Sequence, residues 1–284
     1  MVICMVEYFD VVMPTLNSVS RVGEEMFKKI LHRIQKSIPL NRLLVIDDNS
    51  NDGTIKIVKE FGAVVLKGVG SLGKAREIGI ANVGTEWFYF IDDDNLIPLN
   101  FHEKMWQHVD ESTGMIYPNA ISPFDNYLVR YENIIGRLRQ NLGLKSIWEF
   151  RGYTGATLIK TRALKGINIP NIARQEDKFI KNFIEQRGWK VKFVSDIKVL
   201  HLNKNLPTYK TYYLEGYGLA KVNALSKIKM LTSWLLTYPK TLITFPYVKK
   251  IELLSNVPKM YYIKYLGYLD ASKNKKNIKT SNDY

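Results

Sequence analysis

The sequence predicts an α/β fold, a doubly wound and mostly parallel sheet, on three observations. Apolar runs of strand length alternate with segments of helical periodicity from Phe9 to about Val109, the pattern that right-handed parallel crossovers leave. The run Trp87–Ile91 (WFYFI) has no polar alternation, so it reads as a strand buried on both faces. Two of the four runs, ending at Ile46 and Ile91, pass directly into acid-rich stretches. In such a sheet both stretches open on one edge, where ligands bind beyond the strand ends.

Taken in order, Phe9–Met13 (FDVVM) reads as the first strand, stopped by Pro14, with Thr15, Asn17 and Ser18 in a polar loop. Met26, Ile30 and Ile34 recur at helical spacing and predict a helix to about Ser37. Arg42–Ile46 is the second strand and runs into Asp47-Asp48-Asn49-Ser50-Asn51-Asp52-Gly53. A helix over Thr54–Phe61 follows, with Asp52 expected to cap it. Ala63–Leu66 is the third strand, and the glycine-punctuated loop Gly68–Gly73 leads to a helix from Lys74 to about Val83. After the fourth strand come a helix from Asn100 to about Val109 and a short strand, Met115–Tyr117. The segment Ile121–Trp148 suggests helix and loop without assigned chemistry. Tyr153–Ile159 reads as a strand whose glycine marks a close approach. Glu176–Arg187 is a helix with an acidic first turn, Lys190–Val194 is the closing strand, and Val199–Leu202 places His201 just beyond it.

With 284 residues, the chain has room for one large α/β domain with an appendage, or for two modest domains. Its 46% hydrophobic and 24% charged content is that of a globular protein. The single cysteine, Cys4, excludes a disulfide framework and points to a reducing compartment. The opening residues lack the basic flank and cleavage site of a signal peptide, so a cytoplasmic location is expected. The net charge of +14 is uneven: from Lys198 onward there are 15 lysines, no arginine and four acids. Basicity therefore belongs to the C-terminal part and not to the part bearing the acidic loops.

Asp92, Asp93 and Asp94 follow the fourth strand directly. Three adjacent carboxylates repel one another unless a cation or a shell of donors neutralises them. Such hard oxygens suit Mg2+ or Mn2+ carrying substrate phosphates. The competing reading is a solvated acidic turn capping the helix near Asn100.

Five motifs now stand in sequence: VVMPTLNS (Val11–Ser18), VIDDNSNDGT (Val45–Thr54), GKAREIG (Gly73–Gly79), FIDDDNLIP (Phe90–Pro98) and QED (Gln175–Asp177). Their order and placement resemble the family 2 glycosyltransferases, inverting enzymes of the Rossmann-like GT-A fold, over roughly residues 8 to 202. More loosely the chain looks like that family's polyprenyl-phosphate-linked sugar transferases. The resemblance implies a catalytic domain over residues 1–205, with a nucleotide-sugar half at about 8–118 and an acceptor half at about 119–205. It implies nucleotide contacts from Pro14, Thr15, Asn17, Asp47 and Asp48, and a basic face from Lys74 and Arg76 toward the diphosphate. Asp92 and Asp94 match the two acids of the DxD motif, with Asp93 open to a one-residue slip. Asp94, Asp92 and His201 would hold Mn2+ or Mg2+, and Asp92 and Asp93 would also face the nucleotide. Asp177 is the expected base on the acceptor hydroxyl, with Glu176 orienting it or the acceptor; an acceptor phosphate would need no base. Gln186-Arg187-Gly188-Trp189 departs from the QxxRW of processive members, which implies transfer of a single sugar. The implied donor is a UDP- or GDP-sugar, and the acceptor a glycan or lipid-linked group.

From Leu206 the composition changes. Aromatic residues interleave with lysines, and the apolar runs Met230–Tyr238 and Thr241–Val248 are broken by Pro239, Lys240 and Pro246. Neither approaches the length needed to span a bilayer. Residues 206–271 are expected to form a helical extension that docks peripherally on the anionic cytoplasmic face of the membrane or packs on the protein or another subunit. Residues 272–284 are expected to form a tail without fixed structure. Two other functions stay open. A nucleotidyltransferase would want a glycine- and basic-rich loop after the first strand, where Pro14-Thr15-Leu16-Asn17 stands. A nucleic-acid-binding module would use the charge, but no nucleic acid is expected given the acidic mouth.

Overall fold

The computed structural model describes residues 7–144, 147–203 and 206–273. The expected tail lies almost wholly outside them, as does Cys4. The chain divides into two compact units. The first holds residues through Pro123 together with Gly152–Asn171 and Phe179–Asn203. The second gathers Phe124–Arg151, Ile172–Lys178 and the C-terminal helices.

The first unit is organised by one eight-stranded, mostly parallel sheet. Strand β1 (Phe9–Thr15) is buried along its whole length and leads into helices α1 (Ser18–Val22) and α2 (Glu24–Ser37). The two helices are separate because Gly23 sits at φ 89°, a conformation that glycine adopts without steric cost. Then come β2 (Leu40–Asp47), α3 (Thr54–Glu60), β3 (Val64–Lys67), α4 (Leu72–Asn82), β4 (Trp87–Ile91), the short β5 (Asn95–Leu96), α5 (Phe101–Trp106) and β6 (Thr113–Ile121). Later in the chain, β7 (Ala156–Lys160) and β8 (Lys190–His201) complete the sheet. Its order is β3-β2-β1-β4-β7-β6-β8-β5.

Strands β3, β2, β1 and β4 run parallel, as the alternation of runs predicts. All five residues of β4 are buried. Beyond β4 the order departs from the sequence: β7 enters antiparallel between β4 and β6. Its five residues are buried too, so it takes an interior place in the sheet although it is a late strand in the chain.

Three sequence expectations need correction. Pro14 does not stop β1; it lies inside the strand opposite Ile46. Beyond Val12 no residue of β1 pairs with β4, so a residue without an N–H is tolerated on that side. Strand β6 is longer than Met115–Tyr117 and carries Pro118 at a register shift against β8, the bulge position where a strand accepts proline. The segments Lys190–Val194 and Val199–Leu202 are parts of one strand, β8, which ends at His201.

The core of this unit is laid down by Val11, Val12, Val45, Ile46 and Phe88–Ile91 against the helices. Helix α4 lies hard on β1, since a Cβ at Gly79 would fall 2.2 Å from Val12 Cγ1.

In the second unit, α6 (Tyr127–Asn141) and the start of α7 (Ile147–Arg151) fall in the segment read as helix and loop. Asn126 starts α6 by accepting from the N–H groups of Leu128 and Val129. The acidic helix α8 (Glu176–Gln186) begins in this unit and continues into the first. Four helices follow: α9 (Tyr209–Lys221), α10 (Lys227–Leu235), α11 (Thr237–Val248) and α12 (Glu252–Lys273). Leu128, Tyr131, Tyr212, Val248, Leu253, Val257 and Met260 form a core shared by α6, α9, α11 and α12, while Met230 of α10 packs with Leu219, Ala220, Tyr268 and Ala271. Helices α9 and α12 touch backbone to backbone: a Cβ at Gly216 would lie 1.7 Å from the Lys264 carbonyl oxygen. Pro239 falls in the first turn of α11, where a missing N–H costs nothing, and the helix runs on through Pro246. No helix among the described residues is long and apolar enough to cross a membrane.

Candidate functional site

The parallel arrangement brings the C-terminal ends of β1, β2 and β4 to one edge, each with a polar turn. At the end of β1, Thr15 Oγ1 donates to Asp47 Oδ1 at 2.9 Å. Asp47 also accepts from Ser50 N at 2.8 Å and Ser50 Oγ at 2.5 Å, so its carboxylate ties the β2 turn. Asn17 is left-handed at φ 50°. Its N–H donates to Ser50 Oγ and its Oδ1 accepts from Asn51 N, which joins the loops after β1 and β2. Asp52 accepts from Thr54 N and Oγ1 and from Ser20 N. It thus serves the start of α3 as expected, while the residue preceding that helix is Gly53. Asp48, half-buried, accepts from Gly70 N at 3.0 Å and holds the glycine loop.

At the end of β4 the three aspartates diverge. Asp92 turns to Arg76, whose Nη2 lies 2.9 and 3.1 Å from its two oxygens. Arg76 is 1% exposed and stacks over Phe90 at 4.9 Å. Asp93 accepts from Ser18 Oγ and from Arg21 Nη2, the latter at 3.0 Å. Asp94 accepts from the same guanidinium at 2.9 Å, and its Oδ2 lies 3.4 Å from His201 Nε2. Asp93 and Asp94 are 3% and 5% exposed, which excludes the solvated helix-capping turn. Next to them, Tyr153 donates to Asn95 Oδ1 at 2.5 Å. The glycine expected at a close approach is Gly155: a Cβ there would lie 2.5 Å from the Tyr153 hydroxyl.

Electrostatics follow from this geometry. Burial pushes the Asp93 carboxyl up, against the pull of Arg21, with Asp94 adding to the rise. Asp94 is held below the usual carboxylate range: burial opposes its charge, but the bond to His201 and the Arg21 guanidinium outweigh it. The imidazolium of His201 is likewise disfavoured by burial, yet Asp94 raises its pKa overall. Two adjacent carboxylates in one turn are thus driven apart in proton affinity.

The residues expected to bind a metal are only partly brought together. Asp94 and His201 meet, whereas Asp92 is drawn to Arg76 by charge. No three His, Cys, Asp or Glu side chains among the described residues are arranged as a metal cage. One carboxylate and one imidazole still fit Mn2+ or Mg2+ as a partial donor set, because such ions complete their shell with phosphate oxygens and water. Lys74 bonds Glu77 Oε1 at 2.9 Å and Asn168 Oδ1 at 3.2 Å.

In the second unit Glu176 and Asp177 are each 4% exposed. Asp177 Oδ2 accepts from Arg151 Nε at 2.9 Å, and its Oδ1 from Lys178 N at 2.8 Å. Arg151 is held more firmly protonated by Asp177, against the opposing effect of burial.

Sequence reasoning missed Ser18 as a partner of Asp93, and also Arg21, Asn95, Tyr153 and Arg151. A signal existed for two of these. Ser18 and Arg21 are one helical turn apart directly after β1, and residues three apart share a helix face.

Comparisons with known proteins bear on the fold and the family. A search of curated proteins by sequence returns no match. Among solved structures, the Mycobacterium tuberculosis glucosyl-3-phosphoglycerate synthase in complex with Mn2+, UDP and glucosyl-3-phosphoglycerate is similar. Its TM-score is 0.56 at 16% identity, over 76% of this chain and 79% of that one. The same synthase with Mn2+, UDP-glucose and phosphoglyceric acid gives 0.54 at 16% identity, over 76% and 79%. A mycobacterial protein of unstated activity gives 0.56 at 15%, over 76% and 74%. These likenesses show a shared fold. The model of glycosyl transferase family 2 matches residues 10–168, which include β1, β2, β4 and all three polar turns, and the chain therefore belongs to that family of glycosyltransferases.

Proposed function

We propose that the protein moves one sugar from a UDP- or GDP-sugar to an acceptor hydroxyl or a lipid phosphate, with Mn2+ or Mg2+ and inversion at the anomeric carbon. The observation that carries this reading is the turn after β4. There Asp94 and His201 lie 3.4 Å apart, with Arg21 and Arg76 against the same three carboxylates. Asp94 and His201 would hold the ion, and a bound ion would offset the charge that builds on the departing nucleoside diphosphate. The similar synthase is known in complex with Mn2+ and UDP, and with Mn2+ and UDP-glucose, which supports the same donor chemistry here. Arg21, whose side chain is 42% exposed, supplies a guanidinium able to meet phosphate. Thr15, Asp47 and Asp48 line the edge that would take the nucleoside.

Asp177 is assigned the acceptor proton, with Arg151 holding one carboxylate oxygen. Glu176 would orient it. A lipid-linked acceptor remains part of the reading. A hydrolysis screen of nucleotide-sugars tests the whole: wild type turns over one donor slowly in the presence of Mn2+, and Asp94→Asn does not. Equal turnover by both proteins would refute the assignment.

A further inference from the structure

Helix α11 is built inside out. Its buried residues are Thr237, Thr241, Thr244 and Val248, each at most 1% exposed. The threonine hydroxyls donate to carbonyl oxygens one turn back: Thr237 to Trp234, Thr241 to Tyr238, and Thr244 to Lys240. They are therefore satisfied inside the second unit without any partner from outside the helices. The apolar side chains lie on the other side. Tyr238, Leu242, Ile243 and Tyr247 are 50, 65, 59 and 72% exposed. At about 100° per residue these four, with Pro239 and Pro246, fall within one half of the helix surface. Ile228, Leu235 and Leu236 on and after α10, and Ile251 after α11, are half or more exposed as well.

A contiguous run of large apolar side chains facing outward marks a contact surface, and its charge identifies the contact. From Ser226 to Ile251 there are five lysines (Lys227, Lys229, Lys240, Lys249, Lys250) and no acid. Four of them are exposed, and Lys240 is half-buried. A second copy laid on this face would bring two sets of lysines together, and lysine is depleted from protein interface cores. The chain after Lys273 adds lysines of its own, so it matches the face in sign and does not complement it. An anionic lipid surface answers both features: the acyl boundary takes the leucines and isoleucines, and the headgroups take the ammonium groups. Tyrosine and tryptophan prefer that boundary. A cleft of about 400 Å³ lined by Trp234, Tyr238, Pro258, Lys259 and Tyr262 opens beside the face.

We infer that the exposed face of α10 and α11 is a docking surface for the headgroup layer of an anionic bilayer, entered by Leu235, Leu242, Ile243 and Tyr247 and held by the flanking lysines. This surface lies outside the donor-binding turns and does not depend on the identity of the transferred sugar.

Flotation of the full chain with vesicles tests it, using phosphatidylcholine alone and phosphatidylcholine mixed with phosphatidylglycerol. Wild type floats with the anionic vesicles, and less so as salt rises. The triple variant Leu242→Ser/Ile243→Ser/Tyr247→Ser loses binding by about tenfold or more while its thermal melt stays that of wild type, because these side chains leave no cavity behind. Lys249→Glu/Lys250→Glu weakens binding by about fivefold or more per lysine. Absence of binding to anionic vesicles overturns the inference, as does binding that the triple variant retains. A wild type that dimerises through this face in light scattering, with the triple variant monomeric, would assign it to a second copy instead.

Discussion

Removing the Arg21 guanidinium, as in Arg21→Met, tests whether the turn after β4 is an electrostatic cradle or an ordinary surface feature. One nitrogen of Arg21 reaches Asp93 at 3.0 Å and Asp94 at 2.9 Å. The side chains of these acids are 4% and 7% exposed, and that of Arg21 is 42% exposed. Breaking a fully buried pair costs about 3–5 kcal/mol, and breaking an exposed one costs less than about 1 kcal/mol. The solvent access of Arg21 places the loss between these, at about 2 kcal/mol. For a domain of this size that lowers the melting temperature by about 4–8 °C. The same carboxylates, left without their cation, should welcome another. Mn2+ alone therefore raises the melting temperature of Arg21→Met by more than it raises that of wild type, since a ligand stabilises only the state that binds it. Scanning calorimetry in chelated buffer and in Mn2+ without nucleotide reads both effects. If Arg21→Met melts like wild type in chelated buffer and responds equally to the ion, the cradle reasoning is wrong.

Three further outcomes follow from particular contacts. Gly216→Ala should destabilise the second unit by about 1–3 kcal/mol through overpacking, because the new Cβ would sit 1.7 Å from the Lys264 carbonyl oxygen; urea unfolding followed by tryptophan fluorescence measures it. The Asp52 carboxyl is opposed by burial but held down to about 2 by bonds from Thr54 and Ser20. Its folded pKa lies below the unfolded value, so its stabilisation is present above about 4 and is lost as pH falls toward 2; the gap in urea midpoint between wild type and Asp52→Ala should close over that range. Asp177→Asn should lower kcat on an acceptor hydroxyl by about 10²–10⁴-fold, the usual worth of a general base, with donor KM little changed; a fall smaller than tenfold would remove the base assignment.

How much of this was legible from residues alone differs by element. The strand Trp87–Ile91 announces itself, because five consecutive apolar residues fit a strand covered on both faces, and the acids that follow it had to meet the edge of the sheet. Continuity of β1 through Pro14 was not legible, since it depends on where β4 stops pairing. Nor was the insertion of β7, because strand order beyond local crossovers is set by burial demands that the whole sheet satisfies together. Within the site, DDD gave the carboxylates but not their partners. Which acid takes Arg76, which takes Arg21 and which takes His201 depends on side-chain directions at three separate element ends. The threonine-in, leucine-out arrangement of α11 was hidden for a related reason: composition reveals an apolar helix, and only packing reveals which half is covered.

The central claim is that Asp94, at the end of β4, helps to bind a nucleoside diphosphate through a divalent ion. Isothermal titration of UDP and of GDP into wild type and Asp94→Asn, each with and without Mn2+, tests it most directly. Binding of one nucleotide that requires Mn2+ and disappears in Asp94→Asn is the predicted result. Binding indifferent to the metal, or equal in the two proteins, would contradict it.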